Sequence, residues 1–166
     1  MPISKRVKLV RDHVKAENAG DYEAALATFK HPRYEYVATD EVHDGPEEVM
    51  AHWTELHRAF PDQEVEIVKL RRADDAVVME AVARGTHSGP LRGLPPTGRR
   101  YELPFLAIFV FEGDALIGER VYYDTATLLR QLGIAREPDS LTGRIELLVG
   151  HPLTIGRGLI RRVVGR

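Results

Sequence analysis

The sequence predicts one α+β domain in which a curved antiparallel sheet wraps over helices that come first in the chain. Three observations carry this expectation. Apolar residues recur at helical spacing through the first sixty or so positions, alternate with period two from Glu64 onward, and return to a helical pattern after Asp124. A chain of 166 residues with 43% hydrophobic content holds a single core-bearing domain. That domain is expected over residues 1–134, with residues 135–166 as a basic amphipathic extension.

Ile3, Val7, Val10 and Val14 mark the face of a first helix, which Asn18-Ala19-Gly20-Asp21 breaks. Tyr22, Ala25, Leu26 and Phe29 mark a second, short helix that His31-Pro32 stops. Tyr34-Glu35-Tyr36-Val37 is rich in β-forming residues and predicts a short strand. Asp44-Gly45-Pro46 turns the chain into a third helix, with Val49, Met50, Trp53, Leu56, His57 and Phe60 on its face before Pro61. Strands follow over 64–70, 76–87, 101–111 and 115–123, the last two joined by a hairpin turn at Glu112-Gly113-Asp114. Between them, residues 88–98 contain three prolines and three glycines, which suits an ordered irregular connection. A bent sheet laid over helices leaves an apolar pocket between the layers.

Beyond Gly133, residues 134–143 read as a connection. Leu153, Leu159, Ile160, Val163 and Val164 then share one side of a helix, with Arg157, Arg161, Arg162 and Arg166 opposite. Such a helix over 153–166 packs on the domain body or a dimer partner, or rests weakly on an acidic membrane surface.

Composition removes several function classes. A formal charge of −2 provides no broad attraction for nucleic acid. The absence of cysteine rules out thiolate chemistry and thiolate metal sites. Ser4, Ser88 and Ser140 lie in no G-x-S-x-G elbow, and the seven histidines show no H-x-H or H-E-x-x-H spacing, so neither a serine hydrolase nor a metal site is expected. Gly93-Leu94-Pro95-Pro96-Thr97-Gly98 lacks the lysine of a phosphate loop, and no cofactor is expected. With no leader-like apolar region and no membrane-spanning run, a cytoplasmic protein is the default.

The segment Gly85-Thr86-His87-Ser88-Gly89-Pro90-Leu91-Arg92-Gly93-Leu94-Pro95-Pro96-Thr97-Gly98-Arg99 is followed a hairpin later by Asp124-Thr125-Ala126-Thr127-Leu128-Leu129-Arg130-Gln131-Leu132-Gly133. With His31-Pro32-x-Tyr34 upstream, this combination resembles the SnoaL-like polyketide cyclases, also called ester cyclases, over about residues 5–134. The resemblance implies the cone-shaped fold of nuclear transport factor 2 and ketosteroid isomerase. It also implies cofactor-free aldol-type ring closure on a hydrophobic carbonyl substrate, which requires a base, donors for an enolate and exclusion of water. The position of the family's acid-base aspartate, three residues before the helix-motif Asp, is Val121 here. Its usual histidine partner falls close to Ala107, and an expected asparagine is Tyr36.

Other groups are therefore the candidates. Glu119 shares a strand face with Val121 and Tyr123, and is either a buried general base or a solvated rim residue. Tyr36 and Tyr123 are either oxyanion donors or ordinary buried tyrosines, and His87 is either a loop anchor or a base. Asp124, at the start of a helix, is either its cap or a catalytic acid, the cap being the commoner use. The pocket is expected to be lined by Tyr36, Trp53, His57, Phe105, Ala107, Phe109 and Val121, to take a hydrophobic small molecule, and to belong to a homodimer. The main reading is acid-base cyclisation or isomerisation. The alternatives are a non-catalytic binder of an apolar ligand and a limonene-type epoxide hydrolase, which shares the cone but uses an Asp-Arg-Asp set.

Overall fold

The computed structural model describes residues 5–137 and 139–153. Helix α1 (Lys5–Asn18) buries Val10, His13 and Val14, so the apolar stripe read from the sequence includes a histidine. Asp21 caps α2 (Tyr22–Leu26) by accepting from Ala24 N–H at 3.1 Å. The second helix ends earlier than its apolar spacing suggests. Phe29 leaves it to form a parallel bridge with Leu116, and Lys30 N–H donates to Leu116 O at 2.8 Å. Strand β1 (Arg33–Tyr36) and β2 (Glu41–Asp44) precede α3 (Pro46–Ala59), whose first turn has Pro46 where no backbone donor is needed. Then come β3 (Glu64–Arg72), β4 (Ala76–Thr86), β5 (Arg100–Glu112), β6 (Ala115–Tyr123), α4 (Thr125–Gln131) and α5 (Leu141–Gly150).

The six strands form one sheet in the order β2-β1-β6-β5-β4-β3. All neighbours are antiparallel except β1 and β6, which run parallel with Tyr34 opposite Glu119 and Tyr36 opposite Val121. Irregularities at Ile67/Lys69 in β3 and at Val110/Phe111 in β5 bend the long strands over the helices. The core lies between the layers: Val10, Val14, Val49 and Trp53 from the helices meet Val77, Phe109 and Leu116 from the sheet. Burying each of these side chains contributes about 1.5–3 kcal/mol. A second cluster of Ala59, Phe60, Tyr101, Leu103 and Leu132 fastens the end of α3 and α4 to the sheet.

The fold is the expected α+β cone, with three departures. Strand β2 has no apolar alternation because it is an edge strand with β1 as its one sheet neighbour, and Val42 faces solvent. The β1–β6 pair is parallel within an otherwise antiparallel sheet. Residues expected as connection begin α5, where Ser140 Oγ accepts from Gly143 N–H at 3.0 Å. The basic helix anticipated over 153–166, with its suggested membrane-surface contact, lies outside the described residues apart from Leu153. Among the described residues no helix is long and apolar enough to cross a membrane.

Candidate functional site

Between helices and sheet is a cavity of about 460 Å³. Trp53, Leu56 and Phe60 from α3 and Leu103, Phe105 and Val121 from the sheet give it apolar walls. The 88–98 loop closes one side through Leu91 and Leu94. These two leucines exchange backbone hydrogen bonds of 3.0 and 2.8 Å around Arg92 and Gly93, whose φ values of 48° and 81° fit a tight two-residue turn. Arg92 reaches across to form a two-pronged ion pair with Glu41 of β2.

The polar centre is built by three elements. Parallel pairing sets Tyr34 of β1 beside Glu119 of β6, and α1 contributes His13 and, one turn later, Glu17. His13 is fully buried and Glu119 is 4% exposed. His13 Nδ1 lies 2.9 Å from Thr28 Oγ1, whose own proton goes to Ala25 O at 2.6 Å, so Nδ1 is the donor in this pair. Its Nε2 therefore faces the site, 2.7 Å from Tyr34 OH, 3.4 Å from Glu17 Oε1 and 3.7 Å from Glu119 Oε2. With the imidazole neutral, Tyr34 donates to Nε2. With it cationic, Nε2–H donates to Tyr34, whose hydroxyl donates in turn to Glu17 Oε1 at 3.0 Å.

These groups set one another's protonation. Burial, and then the charge of Glu17, push the Glu119 carboxyl up to about 8, against the opposing pull of His13 and Tyr34. Burial alone lowers the His13 basicity, but Glu17 and then Glu119 outweigh it and leave it raised. Tyr34 and Tyr36 are held well above the ordinary phenol range by burial and then by Glu119, so both remain hydrogen-bond donors. Glu119 Oε2 itself has no hydrogen-bond partner within the protein. The result is a sealed carboxyl that gains or loses a proton near neutrality beside an apolar cavity.

Tyr36, Trp53, His57, Phe105, Val121 and Tyr123 all line the cavity with Glu119, His57 being exposed at its mouth. Ala107 and Phe109 do not. Both point inward, as strand alternation requires, but they are fully buried beneath the helices, and Phe109 packs edge-on to His13 with ring centroids 5.7 Å apart. Ala107 and Val121 are direct cross-strand partners, so the row implied to hold the family's His and Asp is wholly apolar. Glu119 stands one pleat further along β6.

His87 is not on the cavity wall. It is fully buried against Phe60, its Nδ1 accepts from Thr97 N–H at 3.3 Å, and it ties together the ends of the 88–98 loop. Asp124 is exposed and caps α4, accepting from Ala126 and Thr127 N–H at 2.9 and 3.2 Å and from the Thr127 hydroxyl at 2.5 Å. That hydroxyl, followed by the backbone donors, holds its carboxyl below the usual range. Sequence reasoning missed His13, Glu17, Tyr34 and His52. The spacing of Val10, His13, Val14 and Glu17 on one helical face was the available signal for the first two. Among the described residues, no three His, Asp or Glu side chains converge as a metal ion would need.

A family model for SnoaL-like polyketide cyclases matches residues 7–132. No curated protein matches the sequence. Among solved structures, a candidate SnoaL-like polyketide cyclase from Jannaschia sp. CCS1 is similar at 21% identity and TM-score 0.69, over 82% of this chain and 99% of that one. IdmH, a candidate polyketide cyclase from Streptomyces antibioticus, is 26% identical with TM-score 0.65, over 78% and 99%. A protein of ketosteroid isomerase-like fold from Catenulispora acidiphila, in complex with trimethylamine, gives 22% identity and TM-score 0.63, over 76% and 92%. With the family match spanning most of its length and the cone it folds into, the chain belongs to the SnoaL-like polyketide cyclase family.

Proposed function

We propose that the protein cyclises or isomerises a hydrophobic carbonyl compound by general acid-base chemistry, using only its own side chains. The observation that carries this reading is Glu119, a buried carboxyl at the cavity whose proton affinity, about 8, suits exchange near neutral pH. In its ionised form Glu119 takes a proton from the carbon next to the substrate carbonyl. Tyr36 and Tyr123, both on the wall, donate to the enolate oxygen. In an aldol closure the enolate carbon attacks a second carbonyl within the same molecule, and the new alkoxide takes back the proton from Glu119. In an isomerisation the proton returns to a different carbon. Either route regenerates the carboxylate.

Small molecules that co-purify with the protein, identified by mass spectrometry, supply the substrate for the test. Glu119→Gln is expected to lower kcat roughly 10²- to 10⁴-fold with little change in KM, and to abolish a wild-type rate increase centred near pH 8. Undiminished turnover would remove Glu119 from the chemistry. The apolar Ala107–Val121 row favours a second reading, a binder that holds its ligand without converting it. Recovery of the ligand unchanged after prolonged incubation with the protein would favour that reading. An epoxide hydrolase of limonene type is not favoured. Among the described residues no aspartate lines the cavity, and the one arginine that does, Arg92, is paired with Glu41.

The same reading includes a homodimer formed through the outer face of the sheet. Val78, Val82, Leu106, Ile108, Val110 and Tyr122 alternate away from the core there and are only half-buried. Leu106→Asp is expected to turn a dimer into a monomer in light scattering. A wild-type protein that is already monomeric at micromolar concentration would refute this.

A further inference from the structure

His52 is 4% exposed, lines the cavity, and has its Nε2 shut off from water without a hydrogen-bond partner. Proteins rarely retain such an atom unless something outside the chain satisfies it. Two aromatic rings flank the imidazole. It lies against Tyr36 at a centroid distance of 4.7 Å, and His43 stacks behind it at 4.2 Å and 25°. The parallel register then locates it relative to the acid-base centre, because Tyr34 sits opposite Glu119 whereas Tyr36 sits opposite Val121. His52 thus lies over the next pleat, roughly 7 Å along the strands from the Glu119 row. Past the end of β6, at the first position of α4, Thr125 lines the same cavity, and its Oγ1 is likewise buried and unpartnered.

We propose that His52 is a specificity residue that hydrogen-bonds a second oxygen of the ligand, so that the cavity selects apolar ring systems carrying oxygen on opposite sides of one ring. This rests on reading the cavity as a small-molecule site, but not on Glu119 being a base. A separation of one pleat suits a six-membered ring whose first oxygen function meets Glu119 while the second meets the imidazole. The His χ2 torsion is soft and two-fold, so the nitrogen-bearing edge can turn to the ligand without backbone movement. Burial, followed by the nearby His43 and Arg92, lowers the His52 pKa to about 3. At working pH it is therefore a neutral imidazole that can donate to a carbonyl, ether or hydroxyl oxygen, rather than a cation that would hold an anion. Thr125 is placed to meet a third oxygen on a longer ligand.

The test uses the full chain and two probes, 1-naphthol and 4-methoxy-1-naphthol, which differ by a methoxy group across the ring. Calorimetric titration of the wild type is expected to give at least threefold tighter binding of the methoxy compound, the size of one net hydrogen bond. In His52→Phe that preference disappears while 1-naphthol affinity stays within about twofold, and His52→Gln, which keeps a donor, restores part of it. Thermal melting establishes that each variant is folded, with His52→Leu replacing the Phe variant if that one fails to fold. A preference that survives in His52→Phe, or is absent from the wild type, overturns the assignment. Failure of either probe to bind overturns the cavity reading and the assignment with it. Glu119→Gln is expected to keep the preference, so loss of the catalytic reading would be seen separately in turnover.

Discussion

Glu119→Gln is expected to have near wild-type stability at pH 4.5 and to exceed it by a few kcal/mol at pH 9. In the folded protein the Glu119 carboxyl is pushed from an ordinary 4.5 to about 8, first by burial and then by Glu17. Between these values the folded state holds a proton that the unfolded state has released. Stability is therefore fully present below about pH 4.5 and is lost as pH rises through about 8. His13 adds to the same trend. Its raised basicity, held up by Glu17 and Glu119 against burial, gives stability that is complete below the ordinary histidine value of 6.5 and falls as pH climbs through the folded value. Glutamine fits the same space, keeps a hydrogen-bonding group beside Tyr34 and cannot ionise, so it escapes the loss. Urea unfolding at the two pH values decides the matter, and parallel stability curves would mean that Glu119 is not a perturbed carboxyl. The exposed carboxylates held below their usual range, such as Asp44 and Asp62, lose stability in acid instead and affect both proteins alike.

Such a pH dependence is what the proposed role of Glu119 as a base requires. On the proposed reading, the burial that raises the Glu119 carboxyl toward neutral pH also makes its charged form a structural liability, so removing the charge would trade function for stability.

Alternation along 115–123 was enough to put Glu119 on the face of Val121, because a strand side chain's direction is a local property. What surrounds Glu119 was not local. Tyr34 meets it only through a parallel pairing between segments about eighty residues apart, and no periodicity encodes that register. His13 lay on a helical face that read as apolar, and Glu17 stood outside the apolar positions that marked that face. The same limit explains Ala107 and Phe109. Alternation pointed them inward correctly, but whether an inward side chain meets the cavity or the underside of α1 depends on how the helices lie. The motif loop and the Asp124 helix were legible for the opposite reason, since turn glycines, prolines and caps act within a few residues. Strand β2 and α5 escaped because one is an edge held by backbone pairing and the other presents Leu141, Ile145, Leu148 and Val149 largely to solvent.

Gly89→Ala is expected to cost about 3 kcal/mol or more, because the clash it makes is with backbone that cannot yield. A Cβ at this position would lie 2.0 Å from Arg58 O and 2.8 Å from Arg58 C, with Ala59 Cα at 3.4 Å. This closeness is functional geometry for the helix end. Ser88 and Gly89 N–H both donate to Ala59 O, at 2.9 and 3.1 Å, satisfying a carbonyl that the last turn of α3 leaves without an intrahelical donor. Making room for a methyl group means moving the 88–98 loop off α3, which breaks both bonds and disturbs the Phe60–His87 contact at 5.4 Å. Leu91 and Leu94 would move with the loop, so ligand affinity should fall together with stability. Gly93 provides the control. Its added Cβ meets nothing within 4 Å, but its φ of 81° disfavours a side chain, so Gly93→Ala should cost only about 1 kcal/mol. Urea unfolding of both variants tests the difference, and a Gly89→Ala loss no larger than that of Gly93→Ala would show that the loop does not depend on its close seat against α3.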